Sequence, residues 1–428
     1  MVSRVSRFAG GNVPPASRRQ HRRWGAGICS VLGAVALLST GLTTGAVAAD
    51  VQSKQWYLSA MKAEEMWKVS TGEGVKVAVI DTGVNPDTPS LRGQVLADEV
   101  PESLAHKATE DDNGHGTTMA ELIAGTGAGG GLKGLAPGAK IVPYHIAMEY
   151  SSKSEQKKAP DLSDAIRAAA DSDVKIINMS FGGDYPRSGS EEAIKYAHSK
   201  GKLLFAGTGN DAETRNFIGY PAAFPYVVGV AASDESGKVA KFSEHGNYVD
   251  FAAPGMNMPK YCDATLRSYC DGDGGTSGAT ALTSAAAALI WSAHPDWTAN
   301  QVLASLIDTA GRHWAKDDPS IYLGYGLIRP RRVLDKPDFD PGPADVDPLA
   351  RENEKGVLDE SGKPVSASGA PSAKPSEGSA DDQSSVSASA EDASDSNNTT
   401  LWVVLGGAAA VLALGGGAFA VLRSRRSS

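Results

Sequence analysis

Cysteine is nearly missing from this chain. Its 428 residues hold three, Cys29, Cys262 and Cys270. None stands in a CxxC or Cys/His spacing, so no zinc site is expected. A cationic surplus is missing too. There are 41 Lys and Arg against 50 Asp and Glu, a formal net charge of -9, which excludes the basic stripe that a nucleic-acid partner requires. Much of the negative charge falls in residues 337–400, so the acidic balance says little about a substrate. Calcium ligands are also too few: Asp271 and Asp273 lack the rest of a calcium-binding loop and read as a turn. No metal and no cofactor is expected.

The long apolar runs sit at the two ends. Residues 1–48 read as a signal peptide. Arg18, Arg19, Arg22 and Arg23 form the positive region, Ile28 to Leu42 is mostly apolar, and Ala46-Val47-Ala48 is a small-x-small cleavage site. Gln20 and His21 follow the first arginine pair where the twin-arginine route would want apolar residues, so ordinary secretion is expected. At the other end, Leu401–Leu422 is long enough to cross a bilayer as a helix. Arg423, Arg425 and Arg426 follow, which puts residues 423–428 in the cytoplasm and the rest of the chain outside. Residues 337–400 are rich in Pro, Ser, Ala, Asp and Glu. They bury too little apolar surface to offset the entropy of ordering, and read as a flexible stalk. What remains is an N-terminal arm, 49–74, and a globular domain, 75–336. Trp56, Tyr57 and Trp67 are expected to pack the arm onto the domain. Cys29 leaves with the leader. Cys262 and Cys270 then form either one disulfide, as an oxidising compartment favours, or two free thiols.

Within the domain, apolar strand-like runs alternate with amphipathic helical ones. Strands are predicted at Val75–Ile80, Lys140–Tyr144, Val174–Ser180, Lys202–Ala206 and Tyr226–Ala231. Helices are predicted at Gly114–Ala124, Leu162–Ala170, Ser190–Lys200, Thr276–Ala293 and Thr298–Thr309. The Ala-rich helix over 276–293 is suited to close packing at the centre of the molecule. Ser151–Pro160 reads as an exposed insertion. Such alternation predicts an α/β fold, a mostly parallel central sheet with helices on both faces, plus the single C-terminal transmembrane helix. In these sheets sites gather at the carboxyl ends of strands.

Three motifs supply a carboxylate, an imidazole and a hydroxyl: Asp81-Thr82-Gly83, His115-Gly116-Thr117 and Gly275-Thr276-Ser277. A serine hydroxyl is a weak nucleophile until a base takes its proton, and the base needs an acid to hold its tautomer. Each residue alone has a plainer use, as turn former, loop residue or helix cap. In this order, with these neighbours, they resemble the signatures of the subtilisin-like serine proteases. Asn210, after Leu203-Leu204-Phe205-Ala206, matches the residue that donates to the oxyanion in that family. Asn178-Met179-Ser180-Phe181-Gly182 resembles the strand that pairs with bound peptide.

The resemblance covers about residues 55–335. It implies a serine endopeptidase acting on protein or peptide, with Asp81, His115 and Ser277 catalytic and Asn210 in the oxyanion hole. Ser180, Phe181 and Gly182 would bind substrate, with Gly207, Thr208 and Gly209 forming the facing wall of the pocket. No acid is placed at the base of that pocket, so no preference for a basic residue before the cut is implied. The match departs after the serine, where the family has a bulky residue and then Ala-Ala-Pro. Here Gly278, Ala279, Thr280 and Ala281 follow. Only residues 49–80 separate the cleavage site from Asp81, which leaves no room for a separate pro-domain. Leader, short arm, core, stalk and anchor together are similar to the mycosins, membrane-anchored subtilisin-like proteases associated with type VII secretion in actinobacteria. The competing reading is a structural component of a secretion complex that keeps a protease fold with catalysis dispensable.

Overall fold

The computed structural model describes residues 51–217, 219–356 and 363. The expected signal peptide, transmembrane helix and cytoplasmic tail, and the stalk from 364 onward, lie outside the described residues. Among the described residues no helix is long and apolar enough to cross a membrane.

The centre is a six-stranded parallel sheet. Its strands are β1 (Lys76–Asp81), β2 (Lys140–His145), β3 (Ile176–Met179), β4 (Leu203–Gly207), β5 (Val227–Ser233) and β6 (Phe251–Pro254), in the order β2-β1-β3-β4-β5-β6. The β-branched runs put alternate side chains on opposite faces. Val77 and Val79 of β1 join one core, with α3 (His115–Ala124) and α7 (Thr276–Ala293). Ala78 and Ile80 join the other, with α5 (Leu162–Asp171) and α6 (Ser190–Ser199). Both faces are therefore covered, as a parallel sheet requires. The strand order reverses at β1, so the crevice beyond its carboxyl end is where a ligand is expected.

Helix α7 runs through the core as its composition predicts. Ala285, Ala286, Ala287 and Ala288 are fully buried, and the helix touches β3, β4, β5 and β6. Its buried hydroxyls are satisfied on the preceding turn, Thr280 on Thr276 O and Thr283 on Ala279 O, both at 2.8 Å. Ser284 reaches across to Asn178 Oδ1 of β3 at 2.9 Å.

The arm packs on the domain as expected. It forms α1 (Trp56–Ala60) and α2 (Ala63–Met66). Trp56 Nε1 donates to Met256 O at 3.0 Å, Trp67 Nε1 donates to Leu135 O at 2.8 Å, and Tyr57 and Met66 are buried.

Ser151–Pro160 holds no buried residue, in keeping with an exposed insertion, and carries α4 (Lys153–Lys158), N-capped by Ser152 and tied to the body by Glu155. Two expectations change. Residues 337–356, expected to start the stalk, are docked. Leu349 is buried in the core and α10 (Ala350–Lys355) leans on the domain, where Tyr325 Oη donates to Glu352 and Tyr226 N–H to Asn353. Composition averaged over 64 positions hid this one apolar anchor. Strand β6 and the hairpin β7 (Pro259–Tyr261) and β8 (Tyr269–Asp271) escaped prediction, because segments of three or four residues between Gly and Pro carry no readable period. Helices α8 (Ala299–Thr309) and α9 (Arg331–Leu334) close one side of the core.

Because α7 is packed on every side, Ala287→Leu is expected to lower unfolding stability by about 1–3 kcal/mol, measured by urea denaturation. A neutral substitution would show that the helix has slack around it.

Candidate active site

Asp81 ends β1 and is fully buried. Its Oδ1 accepts from Thr82 N–H at 2.8 Å and lies 2.7 Å from His115 Nδ1. A carboxylate only accepts, so the imidazole proton sits on Nδ1 and Nε2 keeps a lone pair. Asp81 Oδ2 is buried with no hydrogen-bond partner. Burial pulls the His115 pKa down, but the Asp81 charge and hydrogen bond outweigh it and the pKa ends above the ordinary value.

His115 opens α3 behind Gly114, whose left-handed backbone carries no capping side chain. Asp111 replaces the cap. Its Oδ1 accepts from Gly114 N–H at 2.7 Å and from Thr82 Oγ1 at 2.9 Å, and its Oδ2 accepts from Thr117 N–H at 2.8 Å and Thr117 Oγ1 at 2.7 Å. Thr82 Oγ1 in turn accepts from Gly116 N–H at 2.9 Å. One buried carboxylate thus caps the imidazole's helix and grips the residue after Asp81. Gly116 permits the contact, since a Cβ there would lie 2.2 Å from Gly83 O. Sequence reasoning missed Asp111, although an acid three residues before a Gly-His helix start is a capping signal.

The far end of α3 is locked by the hairpin. Cys262 and Cys270 form a disulfide across it. Tyr261 and Tyr269 stack with centroids 4.4 Å apart and donate their hydroxyls to buried Glu121 of α3 at 2.8 and 2.6 Å. Burial raises the Glu121 pKa, against the pull of these hydroxyl donors.

Ser277 lies in the first turn of α7, where backbone N–H groups have no partner within the helix. Ser180 Oγ donates to Ser277 O at 3.0 Å and accepts from Asn178 Nδ2 at 2.9 Å. With the Ser284–Asn178 bond, this polar chain fixes the serine turn against β3. Asn210 Oδ1 accepts from Thr276 N–H at 2.9 Å and Thr276 Oγ1 at 3.2 Å, which turns its Nδ2 donors away from Thr276. Glu244 brackets Asn210. Its N–H donates to Gly209 O at 3.1 Å, and its carboxyl accepts from the N–H of Asp211. Burial, with the charge of Asp211, pushes that carboxyl up to about 8.

His115, Ser277, Asn210, Ser180, Phe181 and Gly182 line one open cleft of about 250 Å³. Among the described residues no hydrogen bond joins His115 to Ser277; in ligand-free sites such bonds are often long and tighten only with substrate. Gly207, Thr208 and Gly209 do not line the cleft. A Cβ on Gly207 would meet Thr276 Oγ1 at 2.8 Å, Thr208 is fully buried, and Gly209 rests against Glu244. Gly207 and Gly209 nonetheless lie against the cleft residue Gly182, whose Cβ would stand 3.4 Å from Gly207 O and from Gly209 Cα. The cleft is also not free of acids: Glu149 lines it, with Arg187, Tyr150 and Tyr185. Long loop side chains reach the site from positions that spacing along the chain does not reveal.

The departure after the serine has a local cause. A Cβ on Gly278 would lie 2.7 Å from Met258 Sδ. Met258, just before β7, supplies from another segment the bulk that position 278 lacks. Gly278→Leu is therefore expected to destabilise by about 1–3 kcal/mol, and less in a Met258→Ala background, with a coupling of at least about 0.5 kcal/mol. Urea unfolding of the four proteins measures it, and strict additivity would refute the shared volume.

The family model of the subtilases matches residues 72–339. Minor extracellular protease Epr of Bacillus subtilis is 33% identical over 64% of this chain, which spans only 41% of Epr. Thermitase of Thermoactinomyces vulgaris is 32% identical over 63% of this chain and 95% of its own length. Among solved structures, the MycP3 protease from the type VII (ESX-3) secretion system aligns with a TM-score of 0.53 and 29% identity, over 65% of this chain and 87% of that one.

Proposed function

This chain belongs to the subtilase family and is a subtilisin-like serine endopeptidase resembling the mycosins, and on that footing we propose that Asp81, His115 and Ser277 are its triad. The observation that carries the reading is the 2.7 Å contact of Asp81 Oδ1 with His115 Nδ1 at the cleft that Ser277 and Asn210 also line. Ser277 Oγ attacks the peptide carbonyl. His115 Nε2 takes the hydroxyl proton and returns it to the leaving amine. Asp81 holds the tautomer and stabilises the imidazolium. Asn210 Nδ2 and the N–H of Ser277 receive the oxyanion; one side-chain donor of this kind is worth about 2.7–4 kcal/mol in the transition state. Substrate lies along Ser180, Phe181 and Gly182 as an added strand. The pairing of Cys262 with Cys270 accords with work outside the cytoplasm. There the signal peptide 1–48 delivers the chain, the helix 401–422 anchors it to the cell membrane, and the segment beyond the docked residues 337–356 spaces it from the bilayer. The likeness to MycP3, a protease from a type VII secretion system, supports a place beside such a system.

Ser277→Ala is expected to abolish peptide hydrolysis and fluorophosphonate labelling while leaving the fold intact by circular dichroism. Retained labelling elsewhere would overturn the assignment. If catalysis serves secretion, the same variant stops it; if secretion persists, the fold acts as a structural component. Since the base must be neutral, turnover rises with pH through the elevated His115 pKa. Asp81→Asn removes the charge that raises it, so the acid limb of the pH–rate profile is expected to move to lower pH while the rate falls by about 10,000-fold. An unmoved limb would mean that another group controls it.

A further inference from the structure

Next to the strand that ends in Asp81, and outside the proposed triad, three side chains from three segments converge. His106 lies in the loop before α3, His145 ends β2, and Glu155 sits on α4. His106 Nε2 and His145 Nε2 approach the same oxygen, Glu155 Oε1, at 2.8 and 3.0 Å, and the possible ligand atoms all lie within 4.8 Å of one another. His145 is 6% exposed and the Glu155 side chain 17%. We propose that His106, His145 and Glu155 form a site for a borderline divalent transition ion, best matched by zinc, which clamps α4 to the sheet.

Two imidazoles and one carboxylate are a donor set that such ions take, with a further position left for water. Tetrahedral ligands about 2.0–2.2 Å from zinc stand about 3.3 Å apart; the two nitrogens lie 2.8 and 3.0 Å from Glu155 Oε1 and no more than 4.8 Å from each other, so side-chain rotations bring the three to that spacing. Without an ion, both Nε2 atoms must present hydrogens to a single oxygen; an ion between them replaces that crowded arrangement. Lys107 Nζ lies 3.3 Å from Glu155 Oε2 and pairs more closely with Asp112. It can hold Oε2 while Oε1 ligates, which keeps the carboxylate turned toward the ion.

The clamp has mechanical consequences. None of the six residues of α4 is buried, and among the described residues its side-chain ties to distant segments run through Glu155. His145 stands beside Asp81 in the sheet register. Between His145 and Glu155 lie Met148, Glu149 and Tyr150, which line the cleft. An ion here stiffens that wall from outside the reacting groups.

The test uses the purified full-length chain without a polyhistidine tag, stripped with EDTA and dialysed against zinc chloride. Expected are one zinc retained per chain by elemental analysis and a zinc-dependent rise in melting temperature. Both should be lost, with affinity weakened at least about tenfold, in His106→Ala and in Glu155→Gln, whose folds are checked by circular dichroism. His115→Ala should retain the ion. No stoichiometric zinc, equal binding by both site variants, or loss in His115→Ala alone would overturn the proposal. The readouts are metal content and melting, so the result stands apart from whether Ser277 is the nucleophile.

Discussion

The carboxylate of Asp111 is the constraint on which the Asp81–His115 contact depends. It is buried and accepts hydrogen bonds from Thr82, Gly114 and Thr117. These donors belong to the loop leaving β1 and to the helix that starts with His115, so one side chain sets the distance between two segments joined along the chain only by a long excursion. In a buried setting each donor left unpaired costs about 1–3 kcal/mol, and the junction holds or fails as a unit. The position of the imidazole relative to Asp81 follows from it.

A second junction holds the side of Ser277. Helix α7 lies among four strands because its side chains are small enough to let backbones approach. Its first turn is then tied by Ser180 to the carbonyl of Ser277 and by Thr276 to the side chain of Asn210. The hydroxyl of Thr276 also accepts from Gly209 N–H at 3.3 Å. Ser277, Asn210 and Ser180 therefore share one network. The hairpin closed by Cys262–Cys270 serves both sides, since Tyr261 and Tyr269 hold α3 through Glu121 while Met258 fills the space over Gly278. This cross-bracing suits a hydrolase that works by pre-aligned dipoles, where displacement weakens transition-state stabilisation steeply.

The elements carried by long, regular patterns were legible: the β-branched run of β1, the amphipathic faces of α5 and α6, and the alanines of α7. Asp81, His115, Ser277 and Asn210 were legible as candidates because each sits in a short motif at the end of such an element. Less legible were Asp111, Glu244 and Thr276, which act through other residues and are common types in common surroundings. Gly207 and Gly209 pack against Gly182 of the cleft, with Thr276 and Glu244 close to where their own Cβ atoms would be, contacts that no local pattern encodes. The docking of 337–356 was hidden because one buried leucine in a polar stretch does not change its average composition.

Sequence by itself determined what is local: which runs become strands or helices, the order of the Asp81, His115 and Ser277 motifs, and the apolar segments at the two ends. These follow from backbone propensity, side-chain period and the chemistry of single residues, all read within a few positions. Tertiary structure alone decided that Met258 substitutes for volume missing at 278, that a disulfide hairpin braces α3, and that His106, His145 and Glu155 meet. Each of these depends on close packing between segments far apart in the chain. Contacts of that kind are selected by shape and by the need to satisfy buried polar groups, and neither quantity is written at any one position.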